Sequence, residues 1–526
     1  MENQKTKIIS IVALVALALT VVTATYAYFQ AQTGEGSQTD IKINANTVDT
    51  FTFATGNPIS FTLDQDNFAS GKGNVTGSTF ASATLTANNK TNTATEHYYV
   101  YLNIENNTFT YSINESTPEI IMTVTNSSGN EVTDISTLNH VVVTGANGTK
   151  VSGYDITNKN GLITLFNNRE IVATPTKEEK WNIKVTFVNY DASQNANAGK
   201  SMSAKVIIQK EIIPRVVSDV CSNGENLATC ITTLAGKSLA SLTKIYHHDA
   251  NLTNGAGDNS YRYAGASETV NNFVCFGSNA STCPTDNLYR IIGVFGDRVK
   301  LIKYDYANSN LLGTNGDYSP GTYSKSEYST YKGELTTINI YYWNKATESN
   351  TWSESNLNKV NLNTNFINNI RSEWAAKIDM TTWKVGGNTG ENIILNTPSV
   401  AYQNEIVSPV TTNTTDNKTE YTAKIGLMYA SDYGFAADQS AWTSNLINYS
   451  RAAIKSVNWM YMGFYDLTIS RDAEYSFMAF YVNRFGYENN SNVFSDNYGV
   501  RPSFNLLSSI TYAGGSGTSS DPIRIN

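Results

Sequence analysis

Trp181-Asn-Ile-Lys-Val-Thr-Phe-Val188 places apolar side chains at 181, 183, 185 and 187 and polar ones at 182, 184 and 186. A period of two marks a strand with one face in a core and the other in water. The same alternation, broken by Asn, Gly or Ser, recurs along the chain on both sides. It is found at Phe51–Ala54, Ile59–Leu63, Thr84–Thr86, Tyr98–Ile104, Phe109–Ile113, Ile120–Thr125, Val141–Val143, Leu162–Phe166 and Ser203–Ile208. Strands at this spacing without intervening helices predict a β-sandwich over residues 40–214, with eight to ten strands.

The whole chain of 526 residues is too long for one core and predicts two or three domains. Charged residues make up 16%, with 32 Tyr and many Asn, Thr and Ser supplying polar surface instead. A net charge of -8 gives no global attraction for phosphate backbones, which argues against nucleic acid as a partner. A hydrophobic content of 40% argues equally against wholesale disorder.

Lys5 and Lys7 precede the uncharged run Ile8–Phe29, which is long enough to cross a membrane as one helix. Positive charge on the leading side puts everything after Phe29 outside the cell. The same segment reads as a cleaved signal peptide, because Thr25 and Ala27 are small residues at signal-peptidase spacing. No Cys precedes Cys221 to carry a lipid, and the tail Ser519–Asn526 carries neither a sorting motif nor a hydrophobic segment, which favours a retained anchor. Residues 1–29 are thus expected to be a transmembrane helix or signal, and 30–39 a polar stalk.

The four Cys form two close pairs, Cys221 with Cys230 and Cys275 with Cys283. Outside the cell two local disulfides are the economical reading; zinc ligands favour shorter gaps. Residues 215–243 read as a linker holding a helix over about Asn226 to Leu242, with Leu227, Ile231, Leu234 and Leu242 as its packing stripe. From Lys244 the texture turns irregular and rich in Gly, Tyr and Trp. Leu288–Phe295 and Val299–Tyr304, joined by Gly296-Asp297, predict a hairpin. Asn363 reads as the N-cap of a helix burying Phe366, Ile367, Ile370, Trp374 and Ile378. A strand pair is expected near Phe477–Asn483 and Tyr487–Phe494.

Two resemblances add to this reading. The apolar segment ending Thr25-Tyr-Ala-Tyr-Phe29 with a sandwich directly after it resembles Gram-positive surface and biofilm-matrix proteins of the camelysin and TasA type, which implies a structural or fibre-forming role. Tyr289-Arg-Ile-Ile-Gly-Val-Phe295, Ile425-Gly-Leu-Met-Tyr-Ala-Ser-Asp-Tyr433, Trp459, Tyr465-Asp-Leu-Thr-Ile-Ser-Arg471 and Gly499-Val-Arg-Pro-Ser-Phe504 occur in that order. Together they resemble the DUF6273-type domain, a C-type-lectin-like relative of the formylglycine-generating-enzyme fold, over residues 286–526. That resemblance implies a small sheet with one or two helices carrying long loops, and a ligand surface on the final strands. The expected fold class is therefore mainly β with a C-terminal α+β domain: a transmembrane helix, a β-sandwich and a C-type-lectin-like head over 244–526.

Between Asp466 and Arg501 lie Arg471, Asp472, Tyr475, Tyr481, Asn483, Arg484, Tyr487, Asn489, Asn490, Asn492 and Tyr498. Aromatic faces beside amide and guanidinium groups suit sugar rings or peptide surfaces. The expected ligand-binding residues are Arg471, Asn483, Arg484, Tyr487, Asn489, Asn490, Asn492 and Tyr498, with Tyr487 and the three later Asn near the hairpin tip. The plainer reading makes Arg471 and Arg501 internal hydrogen-bonding residues and Tyr481 core.

The relatives of this fold that do chemistry use paired Cys for copper or a His-rich site for iron. The four His are His97, His140, His247 and His248, and neither a His nor a Cys lies in 286–526, which argues against oxidative or His-based catalysis there. His247-His248-Asp249 reads as a surface turn, since neighbours in an extended chain point to opposite faces. Asp64 and Asp66 suit either calcium or a solvated turn. No Gly-rich phosphate loop appears, because Gly386-Gly387 and Gly514-Gly515 lack its spacing. The Asn-x-Ser/Thr triplets are those expected by chance. No metal or cofactor is expected. The functional expectation is a cell-surface protein binding an extracellular glycan or protein without catalysis; the alternative is a structural matrix protein assembling through the sandwich.

Overall fold

The computed structural model describes residues 49–526 apart from 65–66, 68–71, 89–90, 136, 389 and 410–418. The expected membrane or signal segment, the stalk and Asp66 lie outside the described residues. Among the described residues no helix is long and apolar enough to cross a membrane. The chain divides into two units, Met1–Ile212 and Ile213–Asn526.

The first unit is a two-sheet sandwich. Its strands are β1 (Thr50–Thr55), β2 (Ile59–Thr62), β3 (Val75–Thr86), β4 (Ala94–Asn107), β5 (Ile120–Asn126), β6 (His140–Thr144), β7 (Lys150–Asp155), β8 (Gly161–Ala173), β9 (Thr176–Phe187) and β10 (Ser201–Gln209). One sheet runs β1-β3-β9-β5-β7-β6 and the other β2-β10-β4-β8. The alternation in β9 does what its period requires: Trp181, Ile183, Val185 and Phe187 enter the core while Asn182 and Lys184 face out. Val100, Leu102 and Ile104 of β4 meet them from the second sheet.

A buried polar link also joins the sheets. Trp181 Nε1 donates to the Tyr98 hydroxyl at 2.9 Å, and that hydroxyl donates to Glu179 at 2.5 Å. Arg169 closes the link with a two-pronged pair to Glu179 at 2.8 and 3.0 Å while its guanidinium lies 4.6 Å from the Trp181 ring. Burying an indole N–H and a phenol is tolerable only because each finds a partner.

One expected strand is absent and one strand, β7, was not expected. Phe109–Ile113 is not a strand: Phe109 is buried, but the backbone N–H groups of Ser112 and Ile113 donate to the fully buried Glu119 carboxylate at 2.5 and 3.2 Å. Gln194 and Asn197 amides donate to the same carboxyl group at 2.7 and 2.9 Å, so a side-chain hydrogen-bond hub replaces the ladder. The strand β7 has no clear alternation. It exists because Gly153, at φ +152°, lies against the Met122 carbonyl, where a side chain would collide.

In the second unit the hairpin forms as expected. β14 (Leu288–Phe295) pairs with β15 (Arg298–Lys303) around Gly296, which has φ +62°. With β11 (Ile245–His248), β12 (Ser260–Tyr263), β13 (Phe273–Cys275) and the late strand Ser503–Asn505 they form the central sheet, in the order β11-β12-β14-β15-Ser503–Asn505 with β13 also on β14. The segment read as a linker joins this unit's core through Leu227, Ile231 and Leu234. Its helix, Leu227–Lys237, is capped by Asn226, which accepts from Thr229 N–H at 3.0 Å, and a second short helix follows at Ala240–Thr243. Both disulfides form as expected, Cys221 with Cys230 and Cys275 with Cys283.

Asn363 is not an N-cap. It lies inside a π-helical stretch, Leu357–Phe366, where its amide donates to the Asn358 and Ile425 carbonyls at 3.1 and 3.0 Å and its oxygen accepts from Ile425 N–H at 2.9 Å. The helical run ends near Arg371, at φ +67°, yet Phe366, Ile370, Trp374 and Ile378 are all buried. His247 and His248 lie in β11 rather than in a surface turn. They do face opposite ways: His247 stacks on Tyr261 at 4.2 Å, and His248 is fully buried, accepting from Ala256 N–H at 3.0 Å.

Replacing Tyr98 with Phe strands the Trp181 N–H in the core. It should destabilise the first unit by about 1–3 kcal/mol, read as faster amide exchange in peptides of β4, β8 and β9 with the second unit unchanged.

Candidate ligand-binding surface

The hairpin that was expected to carry the site exists as Met478–Val482 paired with Glu488–Asn492, beside Asp466–Asp472. Its tip is Asn483–Tyr487, so Asn489, Asn490 and Asn492 sit on the strand and not at the tip. Asn483 is buried and shapes the turn: its side chain accepts from Phe485 N–H at 2.9 Å, its N–H donates to the Tyr487 carbonyl at 2.8 Å, and Gly486 closes the turn at φ +96°. Asn490 donates to Asp472 at 2.9 Å, and Asn492 accepts from Phe494 and Ser495 N–H at 3.0 and 3.2 Å. Arg471 is buried and holds the Val385 carbonyl at 2.7 Å. The three asparagine side chains are spent on the fold, while Arg471 uses Nε and leaves its buried Nη2 without a partner.

The remaining candidates converge with aromatic residues from elsewhere in the chain. Tyr498 stacks on Tyr481 at 4.4 Å and meets Tyr465 at 4.9 Å. Tyr465 lies 6.3 Å from Tyr328, which packs on Phe464 at 4.6 Å and on Tyr323 at 5.7 Å. Tyr481 is core, but Tyr323, Tyr328, Tyr465 and Tyr498 are half-buried and form a strip of partly exposed rings, edge to face about Tyr328 and tilted by 37° between Tyr465 and Tyr498. Arg484, exposed at the hairpin tip, spreads its guanidinium over Phe485 at 4.8 Å and Tyr328 at 5.9 Å. The Asn489 amide reaches the Tyr481 hydroxyl at 3.4 Å, and Tyr487 is half-buried at the tip. Burial raises the hydroxyls of Tyr465 and Tyr498 and pushes Tyr328 up to about 12. These three tyrosines therefore keep their phenol protons at ordinary pH and offer ring surface and hydroxyls.

Sequence reasoning missed Tyr323, Tyr328, Phe464 and Phe485. The first two come from the strand Tyr318–Ser324 and the turn after it, more than 100 residues upstream, and carry no local pattern that points to the hairpin.

Buried charge holds these loops. Arg501, in the last quoted motif, donates to Asp466 at 2.5 Å and to the Met460 carbonyl at 2.8 Å, as the internal reading expected. Asp432 receives Lys300 of β15 at 2.5 Å and Arg262 of β12 at 3.3 Å, and Arg262 also binds Asp258 at 2.6 Å. Glu405 is fully buried, accepting from Ser470 and from Ser431 N–H, and burial pushes its carboxyl up to about 7. Glu488, first in its strand, is fully buried with both oxygens unpartnered; burial, then the nearby Glu405 and Asp466 carboxylates, hold it well above the usual range. Among the described residues the grouping of metal-ligand type is Cys221, Glu225 and Cys230, and the disulfide occupies both sulfurs.

No protein-family model matches the chain, and no curated protein matches it. Among solved structures, the carbohydrate-binding module TmCBM61 in complex with beta-1,4-galactotriose aligns at 11% identity over 34% of this chain and 100% of its own, with a TM-score of 0.11. A similarity of that size carries no argument about fold or function.

The Glu405 carboxyl binds its proton more tightly folded than unfolded. Its contribution is thus complete below about pH 4.3, its unfolded value, and is lost as pH rises toward about 7. Glu405→Gln keeps an acceptor for Ser431 and removes the titration. The stability of the natural chain relative to this variant should fall by on the order of 2 kcal/mol between pH 5 and 7.5 in urea unfolding; a pH-independent difference would contradict the assignment.

Proposed function

We propose that this chain is a cell-surface binding protein whose second unit, a C-type-lectin-like head, recognises an extracellular glycan without catalysis and without a metal. The observation that carries the reading is the strip formed by Tyr323, Tyr328, Tyr465 and Tyr498 with Arg484 at its end. Pyranose rings have one apolar C–H face and a rim of hydroxyls. Partly exposed rings that follow one another edge to face or tilted offer apolar surface to the first, while Arg484, Asn489 and the phenols meet the second. The row of rings, with a single cation at one end, suits an oligosaccharide chain laid along it rather than a single anion. Two disulfides support an oxidising compartment, and Ile8–Phe29 is proposed as the anchor or signal that delivers the chain there.

The alternative, a matrix protein assembling through the sandwich, is favoured by one feature. β6 is the outermost strand of its sheet, reads His-Val-Val-Val-Thr, and leaves Val142 63% exposed. An open apolar edge is a template for another strand.

Arrayed neutral glycans, mucins and cell-wall fragments, probed with the full chain, should give a saturable signal that EDTA leaves unchanged. Tyr328→Ala and Arg484→Ala should each weaken it about tenfold. Silence across the array together with polymerisation that Val142→Lys abolishes would transfer the function to the sandwich.

A further inference from the structure

A separate concavity of about 410 Å³ opens in the second unit, shares none of its lining residues with the tyrosine strip, and falls in the size range of small-molecule sites. Its base is apolar and aromatic. Val270 and Phe273 are buried there, and the half-buried Tyr304 ring meets Phe273 edge to face at 5.3 Å and 64°. Around the rim stand hydroxyls and an amide, from Ser267, Asn271, Thr518 and Ser519, and two opposite charges, Glu268 and Lys332, both exposed.

One buried arginine builds the back wall. Arg290 of β14 donates to Asn272 Oδ1 at 2.6 Å, to Ser267 Oγ at 2.7 Å and to the Val270 carbonyl at 2.9 Å. Its guanidinium lies between the Phe273 ring at 4.2 Å and the Trp459 ring at 4.7 Å. The cation thus fixes the loop 267–272 and backs the Phe273 ring, while its N–H groups are spent on the wall. The opposite wall is tied down as well: Phe273 N–H donates to the Gly517 carbonyl at 2.8 Å, and Thr518 Oγ1 accepts from Asp521 N–H at 3.1 Å. Gly517 has φ +89°, and a Cβ there would lie 2.5 Å from the Asn271 carbonyl oxygen. The chain must therefore pass close to Asn271 to present Thr518 and Ser519.

Such a site has an aromatic floor, a neutral hydrogen-bonding rim and one exposed residue of each charge. Among the described residues it has no cluster of cations to select an anion, because Lys332 is the one cation in its lining and Arg290 spends its N–H groups on the loop 267–272. Nor does it offer the all-apolar enclosure that a lipid or aromatic ligand requires. We infer that this pocket binds one neutral hexopyranose unit, its C–H face on Tyr304 and Phe273 and its hydroxyls on the Ser267, Asn271, Thr518 and Ser519 rim. The inference stands apart from the tyrosine strip, and either can fail alone.

The test is calorimetric titration of the full chain, in EDTA, with methyl β-galactopyranoside, methyl β-glucopyranoside and methyl α-mannopyranoside, and with glucuronate and inorganic phosphate as counter-probes. At least one neutral glycoside should saturate with a Kd on the order of 1 mM. Ser519→Trp, which fills the mouth from an exposed position, and Tyr304→Leu, which removes the platform, should each weaken it at least about tenfold. Tyr328→Ala, in the strip, should leave it unchanged. The inference is overturned if no neutral glycoside saturates, if only glucuronate or phosphate does, or if Ser519→Trp and Tyr304→Leu leave the affinity as it was.

Discussion

Arg262, Arg290, Lys300 and Arg501 all lie inside the second unit, none more than 5% exposed. A cation out of water costs several kcal/mol unless it is paired and hydrogen-bonded, so each of these side chains dictates where other parts of the chain must go. Lys300 of β15 and Arg262 of β12 stand on either side of β14 in the central sheet and converge on Asp432, which sits in the short helix Ala430–Phe435. Arg501 claims Asp466 and the Met460 carbonyl. Arg290 is satisfied by the carbonyls, amide and hydroxyl of the loop 267–272 rather than by a carboxylate. A unit with little regular structure between its strands thereby acquires defined loops. Removing one partner of such a pair costs about 3–5 kcal/mol, since the remaining charge is left buried.

That constraint links the fold to the surface it presents. Asp466 opens the strand that leads into the hairpin, and Tyr465 beside it belongs to the aromatic strip. Because Arg501 fixes Asp466, it also fixes the direction of Tyr465. The strand beside the hairpin is held by the hydrogen bond from Ser470 to the buried Glu405, and the hairpin tip is shaped by Asn483. The pocket over Arg290 is built by the same device. In both places a buried polar group orients a loop, and the loop carries ring faces and neutral donors to the outside. Binding residues on rigidly held loops lose less entropy on engaging a ligand than those on mobile ones.

The sandwich was largely legible in the sequence because one-sided burial writes a period of two into each strand, as in Trp181–Phe187. The exceptions have physical causes. Phe109 to Ile113 alternates, but Glu119 offers its N–H groups a stronger acceptor than a strand edge. β7 hides its strand character behind Gly153, which is there for a close backbone approach. Cys pairing and the Gly296 hairpin were legible because both are local. The candidate surface was legible only in part: the Tyr and Asn content of 471–498 drew attention to the hairpin that supplies part of the strip, but nothing in the one-dimensional pattern separated Arg484 and Tyr498, which reach the strip, from Arg471, Asn483, Asn490 and Asn492, which are buried or bonded within the fold. Tyr323 and Tyr328 were invisible because their partnership with Phe464 and Tyr465 spans more than 130 residues. Asn363 has the right residue type for a cap, yet its carboxamide is used across the helix on Ile425.

The most direct measurement is NMR of the full chain carrying ring-labelled tyrosine, titrated in EDTA with a neutral oligosaccharide found on the array. The account predicts saturable shifts at Tyr328, Tyr465 and Tyr498, with the buried Tyr263 and Tyr433 signals unmoved. Shifts absent from all three strip tyrosines while the oligosaccharide demonstrably binds would place recognition elsewhere on the chain and contradict it.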